Sequence, residues 1–255
     1  MRVVAGPTVT SYWQGFSRVP VPAPYLDSFA ARMPDGRFLM LPLREAGASA
    51  TAELACDQAS FLVLDTLAEW VVRAVRPLRP EIVAGLSGRA GALAIEVARR
   101  LMHTHWVPIA EREQPWFSDA LSEAVPEGGA GTRWWLDPGL VGRIRGRRAI
   151  LVHDVFGPGD RADIAARLLV AAGAAATSVV VAMTQGDAWY AGRVRGIGLA
   201  AVFATPSFDL APGGWVAREG SAAWSLCPLF RQGVAAPQPI PRFGLPPTGP
   251  DERLP

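Results

Sequence analysis

Residues 150–163, ILVHDVFGPGDRAD, with the apolar-periodic run IAARLLVAAGA behind them, constrain this chain more than any other stretch. An apolar run ends in Asp154, a turn rich in Gly and Pro follows, and a helix begins. A strand, a tight turn and a helix in that order belong to a sheet whose strands are buried on both faces and whose neighbours run parallel. The turn also exposes backbone N–H groups next to the positive end of the helix. That suits a phosphate, and an acid beside it can reach a sugar hydroxyl or a metal.

The pattern recurs along the chain. Residues 57–78 carry Phe61, Leu64, Leu67, Val71 and Val75 at helical spacing. Residues 81–86 then read as a strand, SGRAG as a turn, 92–102 as a helix and 106–109 as a second buried strand. Further on, 133–136 read as strand, 138–144 as a short helix, 149–152 as strand, 160–172 as helix, 177–183 as strand and 200–203 as a last strand. The implied fold class is α/β: a parallel, twisted sheet flanked by helices, with the turns after Leu86, Ile109, Val152 and Met183 on one rim, where ligands of such sheets sit. Residues 1–50 read as a small β-rich unit with a hairpin turn at 34–37 before a strand at 38–43. The α/β core takes 51–205, and 206–255 is a Pro/Gly-rich extension expected to be disordered over 235–255. Residues 110–131 lack a stable period and hold Gly, Pro and charge, the composition of a lid or binding loop.

Composition narrows the partners. Net charge is +2, and the one basic turn, RGRR at 145–148, is too short for a nucleic-acid groove, so no polymeric nucleic acid is expected. All 25 Lys-or-Arg positions are Arg, so every cationic role falls to a guanidinium and no lysine chemistry is available. Cys56 and Cys227 lie far apart and form neither a zinc spacing nor a disulfide framework, and His103 and His105 have no third ligand nearby in sequence. There is no signal-peptide pattern and no apolar run long enough to span a membrane, which points to a cytoplasmic protein without membrane contact. Neither candidate turn reads GxGxxG, which argues against a dinucleotide-dependent oxidoreductase.

Four segments line up in order: GLSGRAG (85–91), a charged loop with PWF (115–117), WLDP (135–138) with RGRR (145–148), and ILVHDVFGPGD. This order, over residues 10–205, resembles type I phosphoribosyltransferases, in particular bacterial and fungal purine-phosphoribosyltransferase-like members with a RKPWY-like loop. The resemblance implies transfer of 5-phosphoribose from phosphoribosyl pyrophosphate (PRPP) to a nitrogenous base, a purine first among them, with Mg²⁺ and release of pyrophosphate. It implies that His153 and Asp154 meet the ribose hydroxyls, with Asp154 orienting the sugar and touching the metal only through substrate. Gly157, Pro158, Gly159, Asp160 and Arg161 would cradle the 5-phosphate. Ser87, Gly88 and Arg89 would contact pyrophosphate, with Arg89 steadying it. The loop with Arg112 and Trp116 would close over the reaction and the base. The N-terminal strands and the segment after Met183 would form a hood for the base, and the family's usual state implies a homodimer.

The residues at these positions alter the chemistry. His153 stands where the family has a first acid, and imidazole brings no negative charge to a metal. Pro158 removes one N–H from the anion turn, and Asp160 adds a negative charge unless it caps the helix. Ser87 stands where an acid is frequent, and Glu111 and Glu113 flank Arg112 in a loop that is typically basic. A second reading follows: a phosphoribosyltransferase fold with impaired catalysis that binds a nucleotide, a phosphorylated metabolite or a protein partner in a regulatory role.

Overall fold

The computed structural model describes residues 12–88, 90–125, 132–157, 162–187 and 197–231. Along the chain come β1 (Phe16–Ser17), β2 (Ser28–Arg32), β3 (Phe38–Ala46), β4 (Ser49–Ala52), α1 (Phe61–Val75), β5 (Ile82–Leu86), α2 (Gly91–Arg100) and β6 (Val107–Ala110). They are followed by β7 (Ser122–Ala124), β8 (Arg133–Leu136), α3 (Val141–Ile144), β9 (Arg148–Phe156), α4 (Ala162–Ala171), β10 (Ala176–Gln185), β11 (Gly198–Thr205), β12 (Ser207–Ala211), β13 (Gly214–Ala217) and α5 (Pro228–Arg231).

The central sheet has the order β11-β10-β9-β5-β6-β8-β7. Its first five strands are mutually parallel, and β8 and β7 close one edge antiparallel. Ile150, Val152, Val180 and Val202 pack into the core beneath α1 and α2, while Leu151, Val179, Val181 and Ala201 pack into the core beneath α4. Burial on both faces explains why these strands read as continuous apolar runs. Helix α1 begins at Ser60, whose hydroxyl accepts from the Val63 N–H at 3.2 Å. At Gly85 the strand passes close to α2: a Cβ there would lie 2.5 Å from the Ala94 Cβ, so only glycine admits this packing.

The second sheet has the order β1-β3-β4-β12-β13, with β2 also paired to β3, and all its pairings are antiparallel. It shares the α1/α2 core through Leu39, Leu41, Ala52, Phe208 and Trp215. Tyr25, Phe29 and Phe208 meet edge-to-face with centroids 5.0–5.8 Å apart and join the N-terminal strands to β12.

Several bounds differ from the sequence reading. The Pro/Gly-rich stretch after Thr205 contains the β12–β13 hairpin, because SFDLAPGGWVA is an alternating pair of strands around a PGG turn, and β12 pairs with β4. The aperiodic segment 110–131 includes a 3₁₀ turn (Asp119–Leu121) and β7, which is only three residues long and draws its stability from pairing with β8. Strand β9 runs to Phe156 rather than Val152, so His153 and Asp154 lie within the strand and not just beyond it. The tail at 235–255 lies outside the described residues. Among the described residues no helix is long and apolar enough to cross a membrane.

Candidate functional site

Because β5, β6, β9 and β10 are parallel, their C-terminal ends share one edge. The Ser87 N–H donates to the Ile109 carbonyl at 2.9 Å and ties the loop after β5 to β6. Ser87, Gly88, Ala110, Glu111, Arg112 and Gln114 line a cleft of about 270 Å³ there. Ser87, Gly88 and Arg112, three of the sequence-predicted site residues, thus share one cavity. Glu111 leans over the loop: a Cβ on Gly88 would stand 3.0 Å from its Cδ and 3.2 Å from its Oε1. A side chain at position 88 would collide with that carboxylate.

The next strand end is quite different. Gly85 pairs with Val152 across β5 and β9, so following both chains two residues on leads from one to Ser87 and from the other to Asp154. Asp154 is buried, with 4% of its surface exposed, and His153 is half-buried. The Val155 N–H donates to Asp154 Oδ1 at 3.0 Å, and His153 Nδ1 lies 2.9 Å from the same oxygen. The Val155 N–H also lies 3.2 Å from His153 Nδ1. One imidazole nitrogen cannot donate to the carboxylate and accept from the amide at once. The Val155 N–H is directed at Nδ1, which therefore accepts. Here His153 and Asp154 share one backbone donor, the Val155 N–H.

Beyond β9, Gly157 is buried beneath Gln185: a Cβ there would lie 2.9 Å from the Gln185 Cβ and 3.0 Å from its Cδ. Gln185 Nε2 donates to the Ala52 carbonyl at 2.5 Å, tying the end of β10 to the end of β4. Sequence reasoning passed over Gln185. The signal was its place as the last residue of a buried run before a glycine, the same place in the pattern as the residues that were chosen. Arg89, Pro158, Gly159, Asp160 and Arg161, which carry most of the expected phosphate and pyrophosphate contacts, lie outside the described residues.

Trp116 is 62% exposed and does not line the cleft; its indole N–H donates to Asp137 Oδ2 at 3.3 Å. Asp137 Oδ1 accepts the Gly139 N–H at 2.8 Å, so the WLDP segment anchors the PWF loop through one carboxylate. Phe117 stacks on Trp135 at 6.3 Å between centroids, and the Arg133 guanidinium lies 5.7 Å from the Trp135 ring.

Among the described residues no three His, Cys, Asp or Glu side chains converge on a point where a metal could sit. Magnesium keeps several waters and is commonly held by one or two carboxylates together with substrate phosphates. The donor set fits a cation carried in on phosphate oxygens, with Glu111 as the cleft carboxylate able to meet it.

No protein-family model matches the chain, and no curated protein matches it. Solved structures do. The adenine phosphoribosyltransferase of Leishmania donovani matches with a TM-score of 0.51 at 16% identity, over 63% of this chain and 72% of that one. Adenine phosphoribosyltransferase from Rhodothermus marinus DSM 4252 matches at TM-score 0.49 and 16% identity, over 60% of this chain and 85% of that one. That from Thermoanaerobacter pseudethanolicus ATCC 33223 matches at TM-score 0.49 and 14% identity, over 56% and 81% respectively. The likeness to the Leishmania donovani structure is one of fold: a helix-flanked α/β sheet of the phosphoribosyltransferase type.

Proposed function

We propose that this chain takes PRPP at the edge formed by β5, β6, β9 and β10 and transfers its 5-phosphoribose to a nitrogenous base, in the first instance a purine. The observation that carries this reading is the meeting of Ser87, Gly88, Glu111 and Arg112 in one cleft, with His153, Asp154 and Gly157 at the next strand end. A sugar that carries a pyrophosphate on one side and a phosphate on the other would span the cleft and the neighbouring strand end. Asp154 and His153 meet the ribose hydroxyls, residues 157–161 hold the 5-phosphate, and Ser87–Gly88–Arg89 holds pyrophosphate. Arg112 and Trp116 ride on the covering loop, which excludes water that would otherwise hydrolyse the activated sugar. The base sits towards the second sheet, which Gln185 ties to this edge.

The reaction is a displacement at the anomeric carbon: the bond to pyrophosphate breaks and the bond to a base nitrogen forms. Positive charge builds on the ribose ring and negative charge on the leaving group, so positioning and charge stabilisation supply the catalysis. Bound Mg²⁺ would neutralise the pyrophosphate oxygens.

A specific observation favours the second reading, a ligand-binding descendant without turnover. Asp154 is buried, and its Oδ1 is engaged by His153 and by the Val155 N–H. One experiment separates the two. Incubation with PRPP, Mg²⁺ and each common purine and pyrimidine, followed for nucleotide and pyrophosphate, yields product if the first reading holds. Calorimetric binding of PRPP without product from any base identifies the second. The absence of both heat and product at millimolar ligand refutes PRPP transfer and PRPP binding alike.

A further inference from the structure

We propose that Glu111 makes anion binding in the cleft dependent on a divalent cation, by presenting its carboxylate to a metal carried on the pyrophosphate end of the ligand. This rests on the reading that a pyrophosphate-bearing ligand enters the cleft, whether or not it is turned over.

Glu111 is the first residue beyond β6, and β6 is held to the neighbouring loop by the bond from the Ser87 N–H to the Ile109 carbonyl. Its carboxylate rests against the loop backbone at Gly88, in space that exists only because residue 88 is glycine. Glu111 is exposed to solvent, and among the described residues it makes no hydrogen bond or ion pair. The described cleft lining holds one cation, Arg112, and one anion, Glu111, and so is electrically neutral. A metal-free pyrophosphate meets that carboxylate at close range, where like charges repel strongly. A hydrated divalent cation on the same pyrophosphate reverses the sign: the carboxylate becomes a ligand, directly or through a water. The residue that looks inhibitory by its charge thereby becomes a selector for the metal-bound form.

The test is calorimetric titration of inorganic pyrophosphate into the wild type and Glu111→Gln, once with millimolar Mg²⁺ and once with chelator. With Mg²⁺, the wild type binds roughly tenfold or more tightly than Glu111→Gln, the loss of one charge-assisted contact. With chelator the order inverts, and Glu111→Gln binds more tightly. A direct readout is the Mn²⁺ spin-resonance signal: pyrophosphate recruits Mn²⁺ to the wild type and much less to Glu111→Gln. Glu111→Asp, which keeps the charge on a shorter arm, recovers part of the metal dependence, and melting curves for all three show that the fold is intact. Equal or tighter Mg²⁺–pyrophosphate binding by Glu111→Gln overturns the proposal while leaving the site reading standing. No pyrophosphate binding by any variant in either buffer removes the site reading, and the proposal with it.

Discussion

Asp154 and Glu111 are carboxylates on the same edge of one sheet, with only β5 between their strands, and they live in opposite surroundings. Asp154 is buried and engaged by His153 and the Val155 N–H, whereas Glu111 is exposed and pressed against a bare glycine. Burial ties the first to the fold, and exposure leaves the second open to solvent. A carboxylate inside a protein must have its hydrogen bonds made internally; one at a cleft mouth keeps its water until something replaces it. The same functional group thus occupies two environments on one edge, one inside the core and one at the cleft.

The largest expected effect comes from breaking the buried half. Asp154→Ala removes a buried carboxylate that accepts the Val155 N–H and packs against His153, and should cost about 2–4 kcal/mol. Urea denaturation reads this directly, and a loss below half a kcal/mol would mean that the Asp154 contacts contribute little. Next comes Gly157→Ala, whose methyl group displaces Gln185 and strains or breaks its bond to the Ala52 carbonyl, at about 1–2 kcal/mol. Adding Gln185→Ala removes the obstacle, so the double variant should be more stable than the sum of the single losses predicts. Additive losses would show that the two residues do not meet. Glu111→Gln should change stability by less than about 0.5 kcal/mol, because among the described residues no hydrogen bond or ion pair depends on the charge of this exposed side chain.

Cys227 supplies a third case, a titratable group buried with only a weak acceptor, the Ala223 carbonyl at 3.9 Å. Burial pushes its thiol up from 9.0 to about 12. The folded form therefore keeps its proton where the unfolded chain gives it up, and the resulting stability is present below pH 9.0 and lost as pH rises from there towards 12. At pH 9 the folded protein should resist alkylation at this site, with thiolate roughly five-hundredfold scarcer than in the unfolded chain. Rapid labelling under native conditions would contradict this placement.

What could be read from the chain follows the range of the forces involved. The five parallel strands and helices α1, α2 and α4 were legible because each is written locally, as an apolar run, a turn and a 3.6-residue period. The end of β9 was not: His153 and Asp154 break the apolar run, yet the chain stays extended through Phe156. Glu111 was legible as a charge of the wrong sign, but its position over Gly88 depends on the packing of β6 beside the loop after β5. Gln185 joins residues 133 positions apart in sequence, a pairing that no local pattern announces.

The second sheet has a consequence for how the protein is made. Strand β4 takes its outer partner from β12, more than 150 residues further along the chain, so the N-terminal strands emerge from the ribosome long before their neighbour exists. During that interval β4 offers an open hydrogen-bonding edge, the kind of surface that recruits other chains. The helices and parallel strands between them form from shorter-range contacts and can be in place first. The late strands β12 and β13 then act as a clasp, so chains cut short before residue 207 should be found aggregated, or held by chaperones, and not simply inactive.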